Sequence, residues 1–103
     1  MKPFPSGEPD YAFGQVILTL RTATGLTQAG LAKQLGVSRR AVGAWEVGSS
    51  YPKAEHLKEL IVLGMQHHAF PVGREEEEIR ALWQASHQKM CLDEHWLTML
   101  LGQ

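Results

Sequence analysis

Ser38 is followed directly by Arg39 and Arg40, at the point where the spacing of apolar residues predicts a helix to begin. A guanidinium fork matches the O6 and N7 acceptors of guanine, a contact worth about 1 to 3 kcal/mol of base discrimination. The same pair can be read as ordinary solvated surface charge, and only its setting separates the two readings. Other chemistries find less support. No paired carboxylates, nucleophile and base set or glycine-rich phosphate loop emerges at a persuasive spacing, so neither an enzyme nor a cofactor is expected. His87, Cys91 and His95 recur every four residues, as ligands on one helix would, but Asp93 is expected to break that helix and no fourth ligand lies nearby. They read as surface or interface residues, with no metal expected.

The elements that must carry the arginines follow from helical spacing. Asp10 is placed to cap a first helix with Phe13, Val16, Ile17 and Leu20 on its inner face and Gly25 as its stop. Thr27 caps a second, whose small apolar face is Ala29, Leu31, Ala32 and Leu35, and Gly36 ends it. Ser38 caps a third through about Glu46, with Val42 and Trp45 inward and Arg39, Arg40, Gly43 and Ala44 pointing elsewhere. Two short helices crossing over a tight turn need small residues at the crossing, and Ala32 and Gly36 sit there. A helix so presented enters a major groove N-terminus first, which puts Ser38, Arg39 and Arg40 toward base edges.

After the loop 47–52, a fourth helix is expected over about 53–65, with Leu57, Leu60, Ile61 and Gly64 toward the core. His67 and His68 open a further connection. A fifth helix starts at Glu75 to Glu78, its apolar positions Ile79, Leu82, Trp83, Ser86 and Met90; a last short one, capped by Asp93, bears Trp96, Leu97, Leu100 and Leu101. The expected class is therefore all-α. Residues 1–9, with three prolines and a glycine, read as a disordered lead-in, 10–72 as the main domain and 73–103 as a helical appendage.

Composition narrows the setting. The 103 residues allow one small domain with an appendage, 44% of them hydrophobic and 20% charged. No signal-peptide pattern or membrane-spanning run is present, and the single cysteine gives no sign of an oxidising compartment, so a cytoplasmic protein is expected. The net charge of -1 hides an asymmetry: residues 1–73 hold seven Lys or Arg against five acids, residues 74–103 three against six. The first part is only mildly basic. One copy would hold DNA weakly through phosphates and benefit from pairing with a second.

Residues 11 to about 66 resemble the helix-turn-helix of the Cro and C1 repressor family, the XRE type. The resemblance rests on Leu20-Arg21, Gly25-Leu-Thr-Gln28, Leu31-Ala32, Leu35-Gly-Val-Ser38, Trp45-Glu46, Gly48 and Pro52, in order and at family spacing. It implies a compact lambda-repressor-like bundle of four or five helices, here with one or two more at the C-terminus, that binds double-stranded operator DNA as a homodimer. By position it places Ser38, Arg39, Arg40 and Ala44 at bases, and Gln28, with Thr27 beside it, at a phosphate near the N-terminus of helix two. It makes Arg21 and Glu46 a structural pair joining helices one and three.

The chain also departs from the family. Gly30 stands where many members carry Glu, costing helix two about 1 kcal/mol against Ala. Val47 replaces a frequent Arg or Asn, and Ser49-Ser50-Tyr51 lacks the usual lysines, so Ser49, Ser50, Tyr51 and Lys53 are left as phosphate donors or as plain surface.

Residues 74–103 resemble the linker after this domain in bacterial signal-transduction NTPases of the STAND class, which implies attachment to or action with an NTPase module; no Walker A loop is present here. Their four glutamates suit a helix N-terminus and would repel DNA. The apolar stripe of this appendage either folds back on the bundle or seals a dimer. The reading that follows is a sequence-specific DNA-binding regulator. The alternative is a protein-interaction module that has lost strong DNA binding and uses that stripe.

Overall fold

The computed structural model describes residues 8–102. Of the lead-in expected over 1–9, residues 1–7 lie outside the described residues. Among those described there are six helices and no strand: α1 (Tyr11–Thr24), α2 (Gln28–Leu35), α3 (Arg39–Val47), α4 (Ala54–Gln66), α5 (Glu75–Ala85) and α6 (Glu94–Leu101). The all-α bundle with two added C-terminal helices is what the spacing predicts. None of these helices is long and apolar enough to cross a membrane.

Side-chain caps set the first three helix starts. The Asp10 carboxylate accepts from the Phe13 amide, the Thr27 hydroxyl oxygen from Gly30 and the Ser38 hydroxyl oxygen from Ala41. Between α2 and α3 the chain reverses at Gly36, in the left-handed region at φ 70°, and the Val37 amide reaches back to the Ala32 carbonyl at 3.0 Å.

One continuous core runs from the first helix to the last. Phe13, Ile17 and Leu20 of α1 meet Leu31, Ala32 and Leu35 of α2, Val42 and Trp45 of α3, and Leu57, Leu60 and Ile61 of α4. Ile79, Leu82 and Trp83 of α5 and Leu97 and Leu100 of α6 join the same cluster. The appendage therefore folds back on the bundle, and most of its stripe packs inside this chain. Lys58 of α4 adds an edge contact, 3.5 Å from Asp93 and 5.4 Å from the Trp96 ring centre.

Four expectations need correction. Val16 is 43% exposed and faces a groove between α1 and α5 instead of the core. Ala29 is exposed, leaving Leu31, Ala32 and Leu35 as the inner face of α2. Helix α5 stops at Ala85, so Met90 lies beyond it at 67% exposure. The break that separates His87, Cys91 and His95 comes at Ser86 and His87, where φ is 53°, well before Asp93.

The α5 break has visible causes. The Ser86 hydroxyl, 1% exposed, turns back to donate to the Trp83 carbonyl, and the Trp83 indole N–H donates to the Met90 carbonyl at 3.0 Å. The indole bond, to a carbonyl seven residues on, requires the chain to leave the helix.

Candidate nucleic-acid interface

Helix α3 holds its place through its inner side. Val42 and Trp45 are buried, and Gly48 ends the helix at φ 81°, where a Cβ would lie 2.1 Å from the Asp10 carbonyl oxygen. Only glycine lets the two chains come so close there. The Asp10 amide donates to the Gly48 carbonyl at 2.8 Å across this contact. Gly14 of α1 makes a similar approach, with a virtual Cβ 2.3 Å from the Glu46 carbonyl oxygen.

A polar network anchors the same helix. Arg21 donates through Nε and Nη2 to the Glu46 carboxylate and through Nη1 to the Leu26 carbonyl at 2.8 Å. The two side chains retain 17% and 6% of their exposure, so this is a largely buried ion pair. The Gln28 amide also donates to Glu46, at 2.8 Å. Glu46 thus collects donors from α1 and α2 and orients α3 against both.

The outer side of α3 is different. At about 100° per residue, Arg39, Gly43, Val47, Arg40 and Ala44 fall within an arc of about 140° opposite Val42 and Trp45. Arg39 and Arg40 are exposed, and among the described residues neither forms an ion pair or hydrogen bond. Gly43 and Ala44 keep the middle of the face low beside the exposed arginines. Ser38 is exposed beside them; its oxygen is used as acceptor in the cap, which leaves its proton available to donate. Thr27 at the start of α2 stands in the same condition.

The remaining positions named from the sequence divide. Lys53 is exposed and caps α4 without a side-chain bond, and Ser50 is half-buried. The Ser49 hydroxyl donates to the Ala44 carbonyl at 3.2 Å, an exposed bond that solvent or ligand can replace. Tyr51 is used elsewhere. Its hydroxyl donates to Asp10 at 2.5 Å, and its ring meets Phe13 edge-on with centroids 4.9 Å apart. Burial, with the Asp10 bond, pushes the Tyr51 phenol up to about 12, while that bond holds the Asp10 carboxyl below its usual range. A phosphate offers no proton, so a tyrosine whose hydroxyl proton is already placed on Asp10 is a brace for the loop in this arrangement. Gln28 gives one amide N–H to Glu46, which leaves its second side-chain N–H to donate elsewhere.

Val47 belongs to the same face of α3. It is 56% exposed and completes the outer face, four residues past Gly43 and eight past Arg39. That periodicity was available in the sequence. The Gln28–Glu46 bond was not, because it links residues 18 apart through the packing of α2 on α3.

Comparison with known proteins agrees with this geometry. Residues 17–62 match the family model described as Helix-turn-helix. These residues form a helix-turn-helix domain. The domain runs from the middle of α1 into α4 and contains the outer α3 face, the Arg21–Glu46 pair and the loop that follows. A stretch of 46 residues is 50% identical to part of the HTH-type transcriptional activator BcrR of Enterococcus faecalis, covering 45% of this chain and 22% of that protein. The chain therefore corresponds to less than a quarter of that relative's length. No solved structure matches the chain significantly. The family match stops at residue 62, so the likeness of residues 74–103 to an NTPase linker gains no support from it.

Proposed function

We propose that this chain is a sequence-specific DNA-binding transcriptional regulator that sets α3, tip first, into the major groove. The observation that carries the reading is the pair of unengaged guanidinium groups at the exposed N-terminal end of α3, within a helix-turn-helix domain. Arg39 and Arg40 read guanine edges, with the Ser38 hydroxyl and the Ala44 methyl beside them. Thr27, Gln28, Ser49, Ser50 and Lys53 take the phosphates on either side, and Tyr51 shapes the loop that carries the two serines. A relative named as a transcriptional activator supports a regulatory role. The setting is cytoplasmic.

Few cations face the duplex, so affinity is expected from two copies on half-sites one helical turn, about 34 Å, apart. The competing reading is an interaction module; it would have to act through a surface other than Ile79, Leu82, Trp83, Leu97 and Leu100, which are buried within the chain. Action alongside an NTPase module rests only on the likeness of residues 74–103 and forms no part of the proposal.

Selection of bound sites from random duplex DNA tests the reading. Wild-type protein should enrich a sequence with two-fold symmetry, and Arg39→Ala or Arg40→Ala should relax one base position in each half-site. A pool left unenriched at low salt, or identical preferences in both variants, would overturn it.

A further inference from the structure

Outside the helix-turn-helix domain, the turn after α5 is fixed against the loop that follows α3. The Gln88 amide donates to the Pro52 carbonyl at 2.8 Å, and the His87 ring lies 5.0 Å from the Tyr51 ring at an interplanar angle of 34°. The turn is also braced from behind by the Trp83 indole bond to the Met90 carbonyl and the buried Ser86 hydroxyl. His87 adopts a left-handed backbone at φ 53° just past the end of α5. The contacts to Pro52 and Tyr51, with the Trp83–Met90 bond, set where this turn stands.

Its charge is unlike that of the rest of the appendage. Between Arg80 and Asp93 the sequence contains no Asp or Glu, and Lys89 is its one lysine or arginine. Lys89 is exposed and among the described residues pairs with nothing, whereas Arg74 and Arg80 of the same appendage are both held by glutamates. The loop it adjoins, 48–53, carries a single cation, Lys53.

We propose that the turn 86–90 is an additional contact to the DNA backbone, with Lys89 as its phosphate ligand and Gln88 as the positioning residue that ties the turn to the domain. This inference rests on the DNA-binding reading above and extends it. A cation that the loop lacks in its own sequence is supplied from the appendage, next to the place where the lack falls. Lys89 adds affinity without base preference, because an ammonium on a phosphate reads charge alone.

The test uses the full chain and fluorescence anisotropy over a salt series, with both a selected duplex and a random-sequence duplex as probes. Lys89→Ala should weaken binding several-fold on both duplexes alike and reduce the slope of log affinity against log salt by about 0.9, the value for one phosphate. Arg74→Ala, which removes one positive charge at the far end of α5, should leave the slope unchanged. Gln88→Ala should lower the slope in the same sense by loosening the turn. If it unfolds the chain instead, the Lys89 variant still decides, because Lys89 is exposed and forms no hydrogen bond or ion pair among the described residues.

A wild-type slope retained by Lys89→Ala, while Arg39→Ala relaxes base preference, would overturn this inference alone. An equal drop in slope for Arg74→Ala would also overturn it, by showing an effect of net charge. Failure of the wild-type protein to bind either duplex at low salt would remove the DNA-binding reading and this contact with it.

Discussion

The two arginines at the tip of α3 and the arginine of α1 have the same chemistry and opposite fates. Arg39 and Arg40 are exposed and have no partner among the described residues, while Arg21 is enclosed, its guanidinium divided between the Glu46 carboxylate and the Leu26 carbonyl. The difference lies in which side of a helix each occupies. Arg21 lies where α1 crosses α3 and must be neutralised there, since a buried unpaired charge is costly. Arg39 and Arg40 lie on the exposed side of α3, opposite the buried Val42 and Trp45. One guanidinium holds α3 in place, and two stand exposed on its outer side.

Removing Glu46 should have the largest effect on this contrast. Glu46→Ala leaves Arg21 enclosed without its counter-ion and the Gln28 amide without its acceptor, and should cost on the order of 3 kcal/mol in urea unfolding. Arg39→Ala should leave unfolding within about 0.5 kcal/mol of wild type. Its effect should appear in base preference instead, at about 1 to 3 kcal/mol between the selected and altered sites. If Glu46→Ala and Arg39→Ala destabilised the protein equally, the division between holding and reading residues would be lost.

Tyr51 sharpens the comparison at a smaller scale, since from the sequence it could have stood with either group. Tyr51→Phe should cost about 1 to 2 kcal/mol through the lost bond to a carboxylate. It should also change the pH dependence at both ends. The raised phenol pKa contributes stability that is complete below its unfolded value of about 10 and is lost as pH rises toward about 12. The lowered Asp10 carboxyl contributes stability present above the unfolded value near ~3.9 and lost as pH falls through the lower folded one. The variant should flatten the alkaline limb and weaken the acid limb. A tyrosinate absorbance titration that keeps its step near 12 in Tyr51→Phe would contradict the assignment.

The smallest effect is expected at Arg80, which is bonded to Glu94 through two nitrogens at 2.8 Å and to Glu76 at 3.0 Å on an exposed surface. Arg80→Ala should lower the melting temperature slightly at low salt and not at all at high salt, where exposed pairs are screened. DNA affinity should hardly change. A strong loss of affinity would place Arg80 with Arg39 and Arg40 as a DNA-facing cation.

Much of this arrangement could be read along the chain. The caps Asp10, Thr27 and Ser38 and the stops Gly25, Gly36 and Gly48 are local signals, because a hydroxyl or carboxylate reaches an amide three residues on and a left-handed turn favours glycine wherever it occurs. The outer face of α3 is equally local, being what remains after Val42 and Trp45 turn inward. Other features were not legible. The early end of α5 depends on a tryptophan indole finding a carbonyl seven residues later and on Gln88 finding one 36 residues earlier. Helical spacing through Ser86 and Met90 continued past the break because periodicity records what a helix could bury and not where tertiary bonds draw the chain away.

The sequence by itself determined the helices, their order and the two arginines at the head of the third, since each follows from short-range bonding and the repeat of the helix. Tertiary structure decided which polar groups would be consumed. Gln28 went to Glu46, Tyr51 to Asp10 and the C-terminal stripe to the core, while Arg39, Arg40 and Lys89 were left exposed. The physical reason is that spending a donor requires an acceptor within about 3 Å. Only the packing of distant segments determines which groups come that close.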